Sequence, residues 1–133
     1  MKKNLIILSV FGFAFMLMAF VSRQQNDPWP VPEKYVKMAN PVKSDATSIA
    51  TGKELYNQHC QSCHGKKGKG DGPKSAQLDT ECGDFTSGEF QKQTDGSVFY
   101  KTFEGRKDMP SFKKRISDQN DIWAVVNYVR TLK

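Results

Sequence analysis

Apolar residues are distributed along this chain in three different ways. Residues 5–21 are almost continuously apolar, broken only by Ser9 and Gly12. Residues 22–47 are mostly polar and are interrupted by Pro28, Pro30, Pro32 and Pro41. Each proline removes a backbone donor and disfavours helix in the residue before it, so this stretch predicts an extended strap or linker. Trp29, Tyr35, Val36 and Met38 give it more apolar character than a free linker needs, which points to packing against the rest of the chain. From residue 48 onward apolar positions return at helical spacing.

Ile49, Gly52, Leu55 and Tyr56 share one face and predict a helix from about Ser48 into Cys60. Gly52 weakens that helix, so it needs a packing reason such as a close helix crossing. Thr94 as N-cap, Asp95 in the first turn and Gly105 as the stop bound a second helix, with Val98, Phe99, Thr102 and Phe103 facing inward. The last helix is expected to begin at Ser117 or Asp118 and to continue to the end. Its stripe is Ile122, Val125, Val126, Val129 and Leu132, and Arg130 and Lys133 suit its carboxyl end. Strand-like alternation is hardly present, so the fold class is all-α. The organisation is a leader over 1–22, a Pro-rich strap over 23–47 and one small domain over 48–133. A chain of 133 residues has no room for a second catalytic domain.

Lys2 and Lys3 before the apolar run make a positively charged n-region and an h-region, an export signal. The run is longer than a signal-peptide core of about 7–15 residues and sits at the low end of the roughly 17–25 that cross a bilayer. Ala19-Phe20-Val21 and Phe20-Val21-Ser22 are poor small-x-small cleavage sites, which favours an uncleaved membrane anchor. No cysteine lies near the end of the run to carry a lipid. The expected location is the periplasm or the outer face of the cytoplasmic membrane.

The 20 Lys and Arg against 14 Asp and Glu give a formal net charge of +6. A basic excess admits nucleic acid, anionic lipid or an acidic protein as partner. Lys66, Lys67 and Lys69 form one group, and Lys113, Lys114 and Arg115 another. Either alone reads as a solvated surface; together they suggest a basic rim that suits an acidic docking patch on a protein partner.

The three cysteines, Cys60, Cys63 and Cys82, are an odd number that fits a disulfide scaffold poorly. Two of them stand in Cys60-Gln61-Ser62-Cys63-His64. Two thiols three residues apart, followed at once by histidine, allow both sulfurs to add to haem vinyl groups while the imidazole meets the iron. A zinc site would need a second ligand pair, which Cys82 and His59 do not supply. A thioredoxin-like redox motif would need alternating strands and helices.

The iron's other face calls for a methionine or histidine well downstream. Met109, set in an extended geometry by Pro110, meets that demand. Met38 lies before the attachment site and reads as a flexible packing residue. His59 adjoins Cys60 and cannot reach the opposite face. Thioether ligation at Met109 would raise the reduction potential and leave no open coordination position, which argues for a carrier over a catalyst. Residues 65–73 are glycine-rich but follow no strand and lack the Gly-Lys-Ser/Thr ending of a phosphate cradle.

These residues together resemble the monohaem class I cytochromes c, over about residues 49–133. The resemblance rests on Cys60-Gln61-Ser62-Cys63-His64-Gly65, then Gly68, Gly70, Asp71, Gly72 and Pro73, then Asp108-Met109-Pro110, then residues 123–132. It implies a small cytochrome c fold with one covalently bound haem c, thioethers at Cys60 and Cys63, and His64 and Met109 as axial iron ligands. It also implies that the Pro73 carbonyl orients His64, and that Gly52 and Tyr56 cross Val125 and Tyr128. The function implied is single-electron transfer in a respiratory chain, with redox proteins as partners and neither nucleic acid nor a small-molecule substrate. Its alternative is a haem subunit bound permanently in a larger complex; a haem enzyme or gas sensor would need an open iron. Cys82 departs from the proline that relatives often carry, as a small loop residue or a thiol able to pair between chains.

Overall fold

A computed structural model of the chain describes residues 28–133; the leader lies outside them. Six helices follow in order: α1 (Glu33–Val36), α2 (Ala46–His59), α3 (Gln61–His64), α4 (Gly88–Gln91), α5 (Asp95–Glu104) and α6 (Gln119–Val129), with a 3-10 turn at Ser75–Gln77. Among the described residues there is no strand, only an isolated bridge between Arg106 and Met109. None of their helices is long and apolar enough to cross a membrane.

Helix α2 begins two residues earlier than its apolar face predicts. Asp45 is the N-cap: its Oδ1 accepts from the Ser48 N–H at 3.0 Å, and the Ser48 hydroxyl accepts from the Asp45 N–H at 3.2 Å. This reciprocal capping box satisfies two otherwise orphaned donors, with serine in the place usually held by Glu or Gln. Thr94 caps α5 and Asp118 caps α6, as their sequence positions predict. Helix α6 stops at Val129 instead of running to the terminus. The Arg130 side chain does not serve that helix end. Its Nε meets Asp95 Oδ1 at 2.9 Å, and its Nη atoms donate to the carbonyls of Phe90, Gln91 and Gln93 at 3.4, 3.3 and 2.5 Å.

Among the described residues the crossing of α2 and α6 is the most extensive helix contact. At Gly52 the backbones approach so closely that a Cβ would overlap the Ala124 carbonyl and lie 3.0 Å from Tyr128 Cβ. One turn on, the Tyr56 and Tyr128 rings meet with centroids 5.1 Å apart. The sequence places Val125 at this crossing; Val125 is buried, but the residue that touches Gly52 is Ala124. Around the crossing Tyr56, Phe99, Ile122 and Val126 are fully buried, and Trp123 stacks on Phe99 at 4.1 Å and 12°. Burying such side chains contributes roughly 1.5–3 kcal/mol each.

The strap is not wholly extended. Pro32 leads into the one-turn helix α1, which packs on α5 through Tyr35, whose ring lies 4.7 Å from Tyr100 and 6.5 Å from Phe99. Gly96 admits this approach: a Cβ there would overlap the Tyr35 carbonyl and meet that of Met38 at 2.8 Å. Further along, Asn40 donates to Asn127 Oδ1 at 2.8 Å. Asn127 Nδ2 in turn faces Ser48 Oγ and the carbonyls of Val42 and Lys43, at 3.1, 3.2 and 3.3 Å. Asn127 is buried on the apolar stripe of α6, and these partners meet its need for hydrogen bonds.

Candidate functional site

The site grows from the end of α2. The Cys60 N–H still donates to Tyr56 O at 2.8 Å, and the His64 N–H donates to Cys60 O at 2.9 Å, so one further helical turn carries both thiols and the imidazole. Cys60 is buried, while Cys63 and His64 are partly exposed; Cys60, Cys63 and Cys82 are all free thiols. The turn is held from outside by the glycine-rich loop. Gly70, Gly72 and Lys74 donate their N–H groups to the carbonyls of His64, Cys63 and Ser62, at 2.9, 3.1 and 2.9 Å. The glycines therefore serve turn packing, and the turn's carbonyls are occupied by the loop.

Burial sets the chemistry of these groups. It pushes the Cys60 thiol up to about 12, which keeps it as S–H, with Cys63 nearby adding to the effect. It pushes His64 down to about 4, so the imidazole is neutral at ordinary pH and has a ring nitrogen lone pair to give to a metal. His64 Nδ1 is buried with no hydrogen-bond partner. The Pro73 carbonyl thus does not accept from it in this structure; Pro73 is exposed, between Gly72 and Lys74. The ring is placed instead by a backbone hydrogen bond at Cys82 and by Phe85, which stacks on it at 4.4 Å and 26°. Phe85 is fixed in turn by Phe90 at 4.5 Å and by its N–H, which donates to Gly68 O at 2.7 Å. Below, the buried Tyr56 hydroxyl donates to Gly65 O at 2.7 Å, and burial raises its pKa.

Met109 closes a tight turn after α5. The Arg106 N–H donates to Met109 O at 2.8 Å and the Met109 N–H returns to Arg106 O at 3.0 Å. Lys107, at φ 53°, takes the left-handed conformation that this turn demands. Met109 is partly buried against the core, and Asp108 Oδ2 accepts from the Thr80 N–H at 2.9 Å. Thr80 belongs to the loop that runs on to Cys82 and Phe85, so one segment connects the methionine turn to the stacking partner of His64. The Cys82 thiol lies on that segment, partly exposed and raised in pKa by burial, with Cys63 and Asp108 contributing. Met38 is not brought to this region; it stays exposed on the strap. His59 rests edge-on to Phe112 at 6.1 Å.

Two thiols and a neutral imidazole on one turn, with one ring nitrogen buried and without a partner, fit the attachment of haem c. Among the described residues no group of three or more His, Cys, Asp or Glu side chains converges to hold a metal by itself. Phe85, Thr80 and Arg106 carry no signal in the sequence that marks them as part of the site. The pairing Asp108-Met109-Pro110 pointed to the turn, but nothing in it named the partners that hold it.

A helical domain closed by a glycine crossing, with a Cys-x-x-Cys-His turn at the end of its first long helix, is a c-type cytochrome domain. Residues 47–129 match the family described as cytochrome c oxidase, cbb3-type, subunit III, and the chain belongs to that family. Among solved structures it is similar to a chain of the Kuenenia stuttgartiensis reducing HAO-like protein complex Kustc0457/Kustc0458, at 28% identity and a TM-score of 0.63. That match covers 82% of this chain and 52% of the other, so the chain spans about half the length of that relative. It is also similar to the KustC0563 c-type cytochrome, at 31% identity and a TM-score of 0.54, covering 62% of this chain and 96% of that one. No curated protein matches the chain. Its cofactor is covalently bound haem c.

Proposed function

We propose that this protein passes single electrons between redox proteins outside the cytoplasm, taking them from a quinol-oxidising complex or dehydrogenase and delivering them to a terminal oxidase or reductase. The observation that carries the reading is the Cys60–His64 turn, with its two thiols and partly buried, neutral imidazole. When bound, the haem supplies an iron that gains and loses one electron. Cys60 and Cys63 would carry the haem through thioethers, and His64 and Met109 would hold its iron. The paired backbone bonds of the 106–109 turn fix the Met109 backbone, which would keep rearrangement on electron transfer small. With both axial positions filled the protein is a carrier and has no catalytic residue.

The chain acts at the outer face of the membrane, tethered by the apolar leader or released by its cleavage. Lys66, Lys67 and Lys69 are exposed, as are Lys113, Lys114 and Arg115, with Lys113 paired to Glu104 at 2.6 Å; these basic groups would steer an acidic redox partner. A second reading is a haem subunit of a permanent assembly, favoured by the likeness to a chain from a multi-protein complex. Gentle detergent extraction separates the two readings: free migration supports the carrier, co-migration with a large complex the subunit.

The ligand pair is tested by Met109→Ala in the haem-loaded protein. The sulfur-to-iron charge-transfer band should vanish and the reduction potential fall. An unchanged band disproves Met109 as ligand.

A further inference from the structure

The start of the strap lies on the methionine turn. Pro28 O accepts from Arg106 Nη1 at 2.7 Å, and the Arg106 guanidinium sits over the Trp29 ring at 5.0 Å. The same ring carries the Lys101 ammonium at 5.6 Å, and Lys101 also donates to Gln93 Oε1 at 2.6 Å. Burial and the neighbouring Arg106 guanidinium hold the Lys101 ammonium below its usual range, a sign that these two like charges share a confined space. The electron-rich ring face offsets their repulsion. Arg106 is itself one end of the turn: its backbone exchanges both hydrogen bonds with Met109. On the other side Asp108 anchors the turn to Thr80. What the side chain of Arg106 rests on therefore decides how firmly the Met109 backbone is placed.

We propose that Trp29 is a positioning residue for the distal iron ligand: by holding Arg106 against the strap it keeps the 106–109 turn closed and Met109 at its post. The inference rests on Met109 being that ligand. The strap is thus a working part of the redox site as well as the connection to the leader. Loss of the ring face leaves the repulsion between Arg106 and Lys101 unopposed, pushes Arg106 away, frees the turn to open, and lets Met109 leave the iron more often. An outside ligand then competes more successfully for the vacated position.

The test uses the full-length, haem-loaded ferric protein, with imidazole titrated against the sulfur-to-iron charge-transfer band. Trp29→Ala should bind imidazole about tenfold more tightly, the size expected when two cation–π contacts and one guanidinium hydrogen bond are weakened together. Trp29→Phe keeps a ring face and should stay within about threefold of the unsubstituted protein. Thermal unfolding is followed alongside. A strap that only supports the fold would lower the unfolding midpoint of Trp29→Ala and leave its imidazole affinity unchanged, and that result overturns the proposal. If Met109→Ala leaves the band of the unsubstituted protein intact, the ligand reading has failed first and this inference falls with it. A band that depends on Met109 but an imidazole affinity that ignores Trp29 rejects the inference alone.

Discussion

Asn127 interrupts an apolar helix face, and its value lies wholly in partners that are distant in sequence. It joins Asn40, Val42, Lys43 and Ser48, so its removal strips hydrogen bonds from the buried Ser48 and from three less buried partners at once. Asn127→Ala should cost about 1–3 kcal/mol, read as a lower denaturant midpoint with an unchanged slope. Gly52 is the opposite case. In Gly52→Ala the added methyl meets the Ala124 backbone, which cannot move aside, so a gain of about 1 kcal/mol in helix propensity is outweighed. The variant should lose about 1–3 kcal/mol, visible as a fall of several degrees in the thermal midpoint. Gly52 was legible in the sequence because a glycine inside an apolar helical pattern demands an explanation. Asn127 was not, since one polar residue in a stripe looks like tolerance until the strap is seen lying over it.

At the level of elements, helix starts were readable where a single side chain does the capping. Thr94 and Asp118 bound real helices because their oxygens answer local orphan donors. The one-turn helices α1, α3 and α4 were missed, because four residues are too few to show a period. The end of α6 was misplaced for a different reason. Arg130 looked like a cation complementing a helix end, whereas its planar fork gathers the 90–93 carbonyls and Asp95 at the junction of α4 and α5. Arg130→Lys retains the charge but cannot span those acceptors, so stability should drop by about 1–2 kcal/mol in thermal unfolding. The methionine turn was half legible. Its methionine and proline stand together in the sequence, but Thr80 and Trp29 are brought to it only by the fold.

For the whole molecule, haem attachment and structure are one problem. The protein core is small, and a planar apolar group would supply much of the interior that a chain of this size lacks. Cys60→Ala with Cys63→Ala should yield protein whose mass lacks haem and whose far-ultraviolet circular dichroism shows reduced helix. The attachment motif was the most legible feature in the sequence, since spacing and residue order suffice for its chemistry. The basic surface makes a second prediction at this scale: electron exchange with an acidic partner should slow as ionic strength rises, measured by stopped-flow at constant pH. The contact between Asn40 and Asn127 spans 87 positions, and the same closing helix covers the segment that ends at Cys60. A chain emerging from its amino end has exposed the attachment motif long before α6 exists to complete the crossing. Once α6 docks, Cys60 is only 8% exposed, while Cys63 stays partly open. The Cys60 sulfur is thus most accessible early in the life of the polypeptide, and its chemistry is easiest before closure.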